Sequence, residues 1–271
     1  MNTASLYIND RKSYARWLLL YTCVMVAVRI WSGRYLTYIF DQPMKGPDQD
    51  YTFWITFLTH LPQFVIHHLW ACKFVDSLAV VLLVVALFFP GSNKLFIALI
   101  LVFFLEHITV EAYSVNHSKN SVCIFMGLLP LCVNEKHFSL MAGFVRYFVI
   151  YILVSAAYHK LHNGAISDAD HFQKILIQQH LDLAILHPQH MTYLVAHWLI
   201  GHPFVAYLLF MGLFFMQAVF ALGTFSRRFD LFLFFLLWLF VFSTYFLMRI
   251  YIWEMIAGGF VFLLPRDPHQ A

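Results

Sequence analysis

The feature that most constrains this chain is a series of apolar runs too long and too poorly charged for a water-soluble core. Residues 231–264 form one such run, whose only charged residues are Arg249 and Glu254. Residues 204–224 form another with no charged side chain at all. A bilayer's hydrocarbon core takes about 20 apolar residues of helix, so 204–224 reads as one span. Residues 231–264 read as two helices with a break near Arg249. Composition agrees: 61% of the 271 residues are hydrophobic and 11% are Asp, Glu, Lys or Arg, where soluble domains carry about 25% charged residues. Mean hydropathy is +0.71. A soluble domain of this length could not hide so much apolar surface. The 11 Gly, 9 Pro and 4 Cys exclude collagen-like, disordered and disulfide-stapled classes.

Further apolar runs cover 17–31, 74–90, 95–113, 122–133 and 140–158. The stretch 52–70 is less apolar and contains Pro62, His60, His67 and His68, which suits an interfacial or re-entrant segment. Residues 43–51, rich in Asp, Pro and Gly, read as a loop. No cleavage site is apparent after the first apolar run, so it reads as a retained helix rather than a signal peptide. The continuous runs contradict an outer-membrane barrel, whose strands would alternate. The expectation is an all-α polytopic transmembrane bundle of about seven to nine helical elements, in one integral-membrane domain spanning 1–271 without a large extramembrane domain.

Lys and Arg placement orients it. The basic N-terminus and the turns at 91–94, 134–137 and 227–228 fall on the cytoplasmic side. The acidic 41–50 loop, the 116–120 turn and the His-rich 159–190 segment fall outside, which puts Asn116, His117 and Lys160 at one face. The net charge of +3 is small and scattered, so no nucleic-acid partner is expected. Cys23, Cys72, Cys123 and Cys132 lie in or beside apolar runs and form no CxxC pair. They read as small hydrophobes.

Ionisable groups at membrane depth are expensive and therefore mark candidate sites. Glu106, His107 and Glu111 lie toward the end of the 95–113 run. Glu106 and His107 point about 100° apart on a helix, whereas His107 and Glu111 share a face at i,i+4. That pair reads as a packing hydrogen bond or as a carboxylate–imidazole proton relay. His159, Lys160 and His162 close the 140–158 run. Lys160 either snorkels to the headgroups or sits in a dry pocket as a neutral amine able to take a proton. His159 with His162, and His187 with His190, form i,i+3 pairs that allow a weak metal-site alternative. An interfacial role fits them better, and no metal is expected. The HxxHH boxes of membrane di-iron enzymes are missing. Haem held by helix histidines such as His107 is a further alternative. Arg249 reads as a snorkelling arginine or as the holder of a carboxylate or carbonyl oxygen.

Three segments in order carry a family resemblance. Val28-Arg29-Ile30-Trp31-Ser32-Gly33 is similar to an R-I-x-x-G opening. Val115-Asn116-His117-Ser118, with Phe125-Met126-Gly127-Leu128-Leu129 after it, is similar to an NHS…GLL segment. Tyr151 to Leu161, YILVSAAYHKL, resembles a Y…AGxxKL helix end. Together they resemble the membrane part of the vitamin K-dependent γ-carboxylase family, the horizontally transferred transmembrane domain.

The resemblance implies a reduced naphthoquinone (vitamin K hydroquinone or menaquinol), oxygen and carbon dioxide as cofactors and co-substrates. In such enzymes a lysine starts the reaction of the quinol with oxygen. The oxygenated quinone removes a γ-proton from a peptidyl glutamate, and the carbanion takes up carbon dioxide. Lys160 falls at the lysine's position; Asn116 and His117 match the pair that positions the quinone and assists at the glutamate carbon. The chain departs from the pattern at Ala156-Ala157 and at His159-Lys160, and it ends at Ala271, soon after the last apolar run. The expected partners are the bilayer, a peptide or protein substrate, and a partner subunit replacing the extramembrane domain. The competing classes are a non-catalytic membrane subunit that binds quinone, lipid or a partner, and a His-ligated metal or haem protein.

Overall fold

A computed structural model describes residue 8 and residues 10–33, 35–41, 51–113 and 121–265, with the backbone alone at 51–53, 111, 121 and 122. The loop expected at 43–51 and the pair Asn116 and His117 therefore lie outside the described residues, apart from Tyr51, which begins a helix. Every regular element among the described residues is helical, and six helices are long and apolar enough to cross a membrane. This is a multi-pass, all-α membrane protein.

Helix α1 covers Arg11–Trp31, started by Asp10, whose carboxylate accepts from Ser13 N at 2.7 Å as an N-cap should. The re-entrant expectation at 52–70 resolves into two short helices, α2 (Tyr51–Thr59) and α3 (Leu61–Ile66). His60 separates them at φ 51°, and Pro62 stands in the first turn of α3, where its missing N–H costs nothing. Then come α4 (Leu69–Phe88), α5 (Asn93–Tyr113), α6 (Ser121–Cys132, containing Pro130) and the long α7 (Glu135–His162). The His-rich stretch forms two short helices, α8 (His171–Gln179) and α9 (Leu181–Leu186). Helix α10 is Met191–Ile200, α11 is Pro203–Val219, and α12 is the single turn Leu222–Phe225.

The long final run breaks where the sequence places the break. Helix α13 (Asp230–Met248) ends on Arg249 in the left-handed region at φ 54°. The second long helix expected after it does not form. Irregular backbone leads instead to the one-turn α14 (Met255–Gly259) and a 3₁₀ turn, Phe260–Leu263, nearly all of it buried. The helices outnumber the apolar runs because prolines, left-handed residues and polar breaks divide the runs into spanning and non-spanning pieces.

The chain forms two compact units, one of residues 1–145 and 253–271 and one of residues 146–252. In the first, α5 packs on α4 and α6, and α14 packs on α6. Gly127 of α6 is what allows the last approach: a Cβ there would stand 2.7 Å from Ala257 O. Its own carbonyl receives the buried Tyr14 hydroxyl at 2.8 Å. In the second unit, α8 packs on α10, α11 and α13, burying Phe172, Leu176 and His180 at i, i+4 and i+8.

Helix α13 shows how apolar sequence divides between protein and lipid. Leu233, Leu237, Phe240, Val241 and Thr244 are buried, while Phe232, Phe235, Leu239, Phe242 and Phe246 are exposed. The exposed set advances by three and four residues, one stripe down one helix face. It is the lipid-facing surface that a spanning helix presents.

Candidate functional site

Lys160 lies in the last turn of α7, and its Nζ donates to Gln217 Oε1 of α11 at 2.7 Å. Gln217 is buried. An amide buried on an apolar helix must find a partner, and here the partner is the lysine. Lys160 forms no ion pair among the described residues. The half-buried side chain thus donates its head group to a neutral acceptor.

A cleft of about 410 Å³ opens beside it, lined by Ala156, His159, Lys160, Asn163, Asp168 and His171 among others. Gly164, at φ 70°, lets the chain turn sharply out of α7. Asp168 contributes no free charge: Lys174 Nζ donates to it at 2.8 Å, which holds its carboxyl below the usual range. The ring of His171 rests 5.4 Å from that of Phe210. The cleft therefore joins one unneutralised lysine to two imidazoles and an amide, with small side chains between.

The remaining expected residues take separate places. His159 lines the cleft, whereas His162 stacks on Tyr158 with ring centroids 5.7 Å apart. His187 and His190 are exposed, and His190 Nδ1 caps α10 by accepting from Thr192 N at 3.3 Å. The two histidine pairs do not converge. No set of three or more His, Cys, Asp or Glu side chains with ligand geometry occurs among the described residues.

Glu106 and His107 are both buried in α5 and point apart, as their spacing requires. Glu106 faces Arg29, and His107 lies edge-on to Phe125 at 5.9 Å. The side chain of Glu111 lies outside the described residues. Arg249 takes the second of its expected roles. It donates to Gln179 O at 3.2 Å and pairs with Asp182, tying α8 and α9 to the end of α13.

Sequence reasoning missed three polar relationships. Gln217 gives no signal of its own beyond being an amide in an apolar run. Arg29 pairs with Glu254, which lies 225 residues away. Arg146, fully buried in α7, donates to both oxygens of Asp230, at 3.0 and 2.9 Å from Nε and 2.6 Å from Nη2, and to Gly223 O at 2.7 Å. The last two could have been sought by asking which opposite charge each intramembrane charge must find.

The fold and the cleft define a class: a multi-pass helical membrane protein with a cleft, lined in part by a lysine, at the end of a long apolar helix. Comparison with protein-family models, with curated proteins and with solved structures returned no match.

Proposed function

We propose that the protein is a quinol- and oxygen-dependent membrane enzyme of the carboxylase type, with Lys160 as its initiating base. The observation that carries this reading is the Lys160–Gln217 contact beside the cleft that Lys160 lines, with no carboxylate paired to the amine among the described residues. A base must offer a lone pair within hydrogen-bond reach of the proton it takes. Gln217 Oε1 can accept an N–H from the amine and from the ammonium alike, so it holds Nζ in place before and after proton transfer. A paired carboxylate would instead favour the ammonium and quench the base.

The cleft fits the quinol head. Its volume lies within the roughly 300–1,000 Å³ of small-molecule sites. Ala156, Gly164 and Ala165 keep part of the lining small, while His159, Asn163 and His171 offer polar groups for two hydroxyls. A reduced naphthoquinone with oxygen would supply the strong base for carbon-acid deprotonation, with carbon dioxide as the group added. Lys160 removes the quinol hydroxyl proton. Asn116 and His117 complete the resemblance as the quinone-positioning and carbon-side residues. The acceptor is a glutamate side chain of a peptide or protein, presented with or without a partner subunit on the extracytoplasmic face, the side that the Lys and Arg bias assigns to Lys160.

The test is turnover of purified protein in nanodiscs supplied with vitamin K hydroquinone or menaquinol and oxygen, with mass spectrometry of quinone epoxide. Epoxide from the wild type and none from Lys160→Ala supports the reading. No epoxide from the wild type with either quinol rejects it.

A further inference from the structure

The first unit holds a second buried charge cluster, which the Lys160 chemistry does not use. Arg29, in the last turn of α1, is engaged by Glu254: its Nε and Nη2 stand 3.0 and 2.9 Å from Oε1. Its Nη1 is 3.9 Å from Glu106 Oε2, beyond hydrogen-bond range. Glu106 is 3% exposed and accepts no hydrogen bond among the described residues, where Oε1 in particular is buried without a hydrogen-bond partner. The buried hydroxyl of Tyr35 also has no hydrogen-bond partner, and it lies within electrostatic reach of Glu106, Arg29 and Asp76.

The carboxylates of this cluster are not equivalent. Asp76 accepts from Leu36 N, Thr37 N and Thr37 Oγ1 at 3.2, 2.9 and 2.6 Å, so its charge is well solvated by protein. Glu254 has the guanidinium. Among the described residues Glu106 has neither hydrogen bonds nor a cation of its own, and an ionised carboxylate left so in the interior is strongly disfavoured. Among the elements packed on α5, helix α4 brings Asp76, the buried Cys72 and an exposed Lys73, α6 brings Cys123 and Cys132, the 3₁₀ turn Leu36–Tyr38 brings Tyr38 with Tyr35 before it, and α2 and α3 bring no titratable side chain among those described.

We propose that Glu106 is a proton-binding site, with Arg29 as the group that answers its ionisation. The carboxyl holds one proton. On release the O–H bond breaks, the electron pair stays on Glu106, and the proton passes to water. The new charge draws Nη1 across the 3.9 Å gap and divides Arg29 between Glu106 and Glu254. Loading or unloading the proton thereby changes the tie between α1, α5 and the segment before α14.

Infrared spectroscopy of the whole protein in nanodiscs tests this, with neutral-pH spectra in H₂O and D₂O. The wild type is expected to show a protonated carboxylic C=O band that shifts in D₂O and disappears as pH is raised. Glu106→Gln should lose that band. Glu254→Gln frees Arg29 for Glu106 and should lose it too, so the assignment survives if one variant fails to fold. A folded wild type without an acid band at neutral pH overturns the proposal, as does a band that persists unchanged in Glu106→Gln.

Discussion

Lys160 Nζ and Gln217 Oε1 stand 2.7 Å apart in the second unit, a half-buried cation-forming group matched to a buried neutral one. Substitution at Gln217 probes that match from two sides. Gln217→Leu removes the acceptor that fixes Nζ and should lower quinol turnover by about 10- to 100-fold, as small misplacements of catalytic groups do. Gln217→Glu supplies the missing counterion, locks the ammonium and should lower turnover further. Epoxide formation by the two variants, with thermal stability as a control, checks the order.

The Arg146–Asp230 pair makes a prediction about stability. Both residues are buried, and Arg146 also donates to Gly223 O. Asp230→Ala leaves a buried guanidinium without its counterion and should destabilise by about 3–5 kcal/mol. Replacing both, Arg146→Met with Asp230→Leu, should cost less than that single change. Thermal unfolding in detergent across the double-mutant cycle reads the difference.

Gly127 tests the packing of the last segment. Gly127→Ala must displace the Ala257 backbone, because the added carbon would meet Ala257 O at 2.7 Å. A loss of about 1–3 kcal/mol is expected, in line with other overpacked sites. Gly212→Ala, where nothing lies within 4 Å of the new carbon, should be neutral or slightly stabilising, since alanine is the better helix former. The comparison is made by melting temperature. Gly127 thus has a packing reason of its own.

The α8–α9 corner should respond to acid. His180 is 1% exposed; its Nδ1 donates to Leu176 O at 3.0 Å, and its Nε2 has no partner. Burial holds its pKa below the ordinary 6.5, with nearby Arg249 opposing the cation and Asp182 favouring it. The unfolded chain therefore binds this proton first. The stability that His180 contributes is complete above 6.5 and falls as pH drops below it. Asp182, whose carboxyl the Arg249 bond holds below its usual 3.8, adds a second loss in stronger acid. Melting temperature measured from about pH 7 to about pH 5 should fall in the wild type and stay flatter in His180→Gln.

What the sequence made legible depended on the kind of signal. Apolar runs are local, so the spanning helices and the break at Arg249 could be read directly. The failure at 250–264 has a physical reason: a buried irregular segment and a membrane helix are equally apolar, and only packing against α6 separates them. Lys160, at the end of its helix, was legible as a choice between snorkelling and burial. Its partner Gln217 lies 57 residues further along and gives no local signal. The same limit hid Glu254 from Arg29 and Asp230 from Arg146, because each pair joins residues far apart in the chain. Arg249 was legible as a choice between the membrane boundary and a carboxylate or carbonyl partner, and Gln179 O and Asp182, on the polar stretch between spans, fill the second role.

The most direct test of the central claim, that Lys160 acts as an amine base, is chemical rescue. Lys160→Ala should form no quinone epoxide alone and regain turnover when small primary amines are added, the rate rising with amine basicity as general-base catalysis requires. Epoxide formation by Lys160→Ala at the wild-type rate, without added amine, would contradict it.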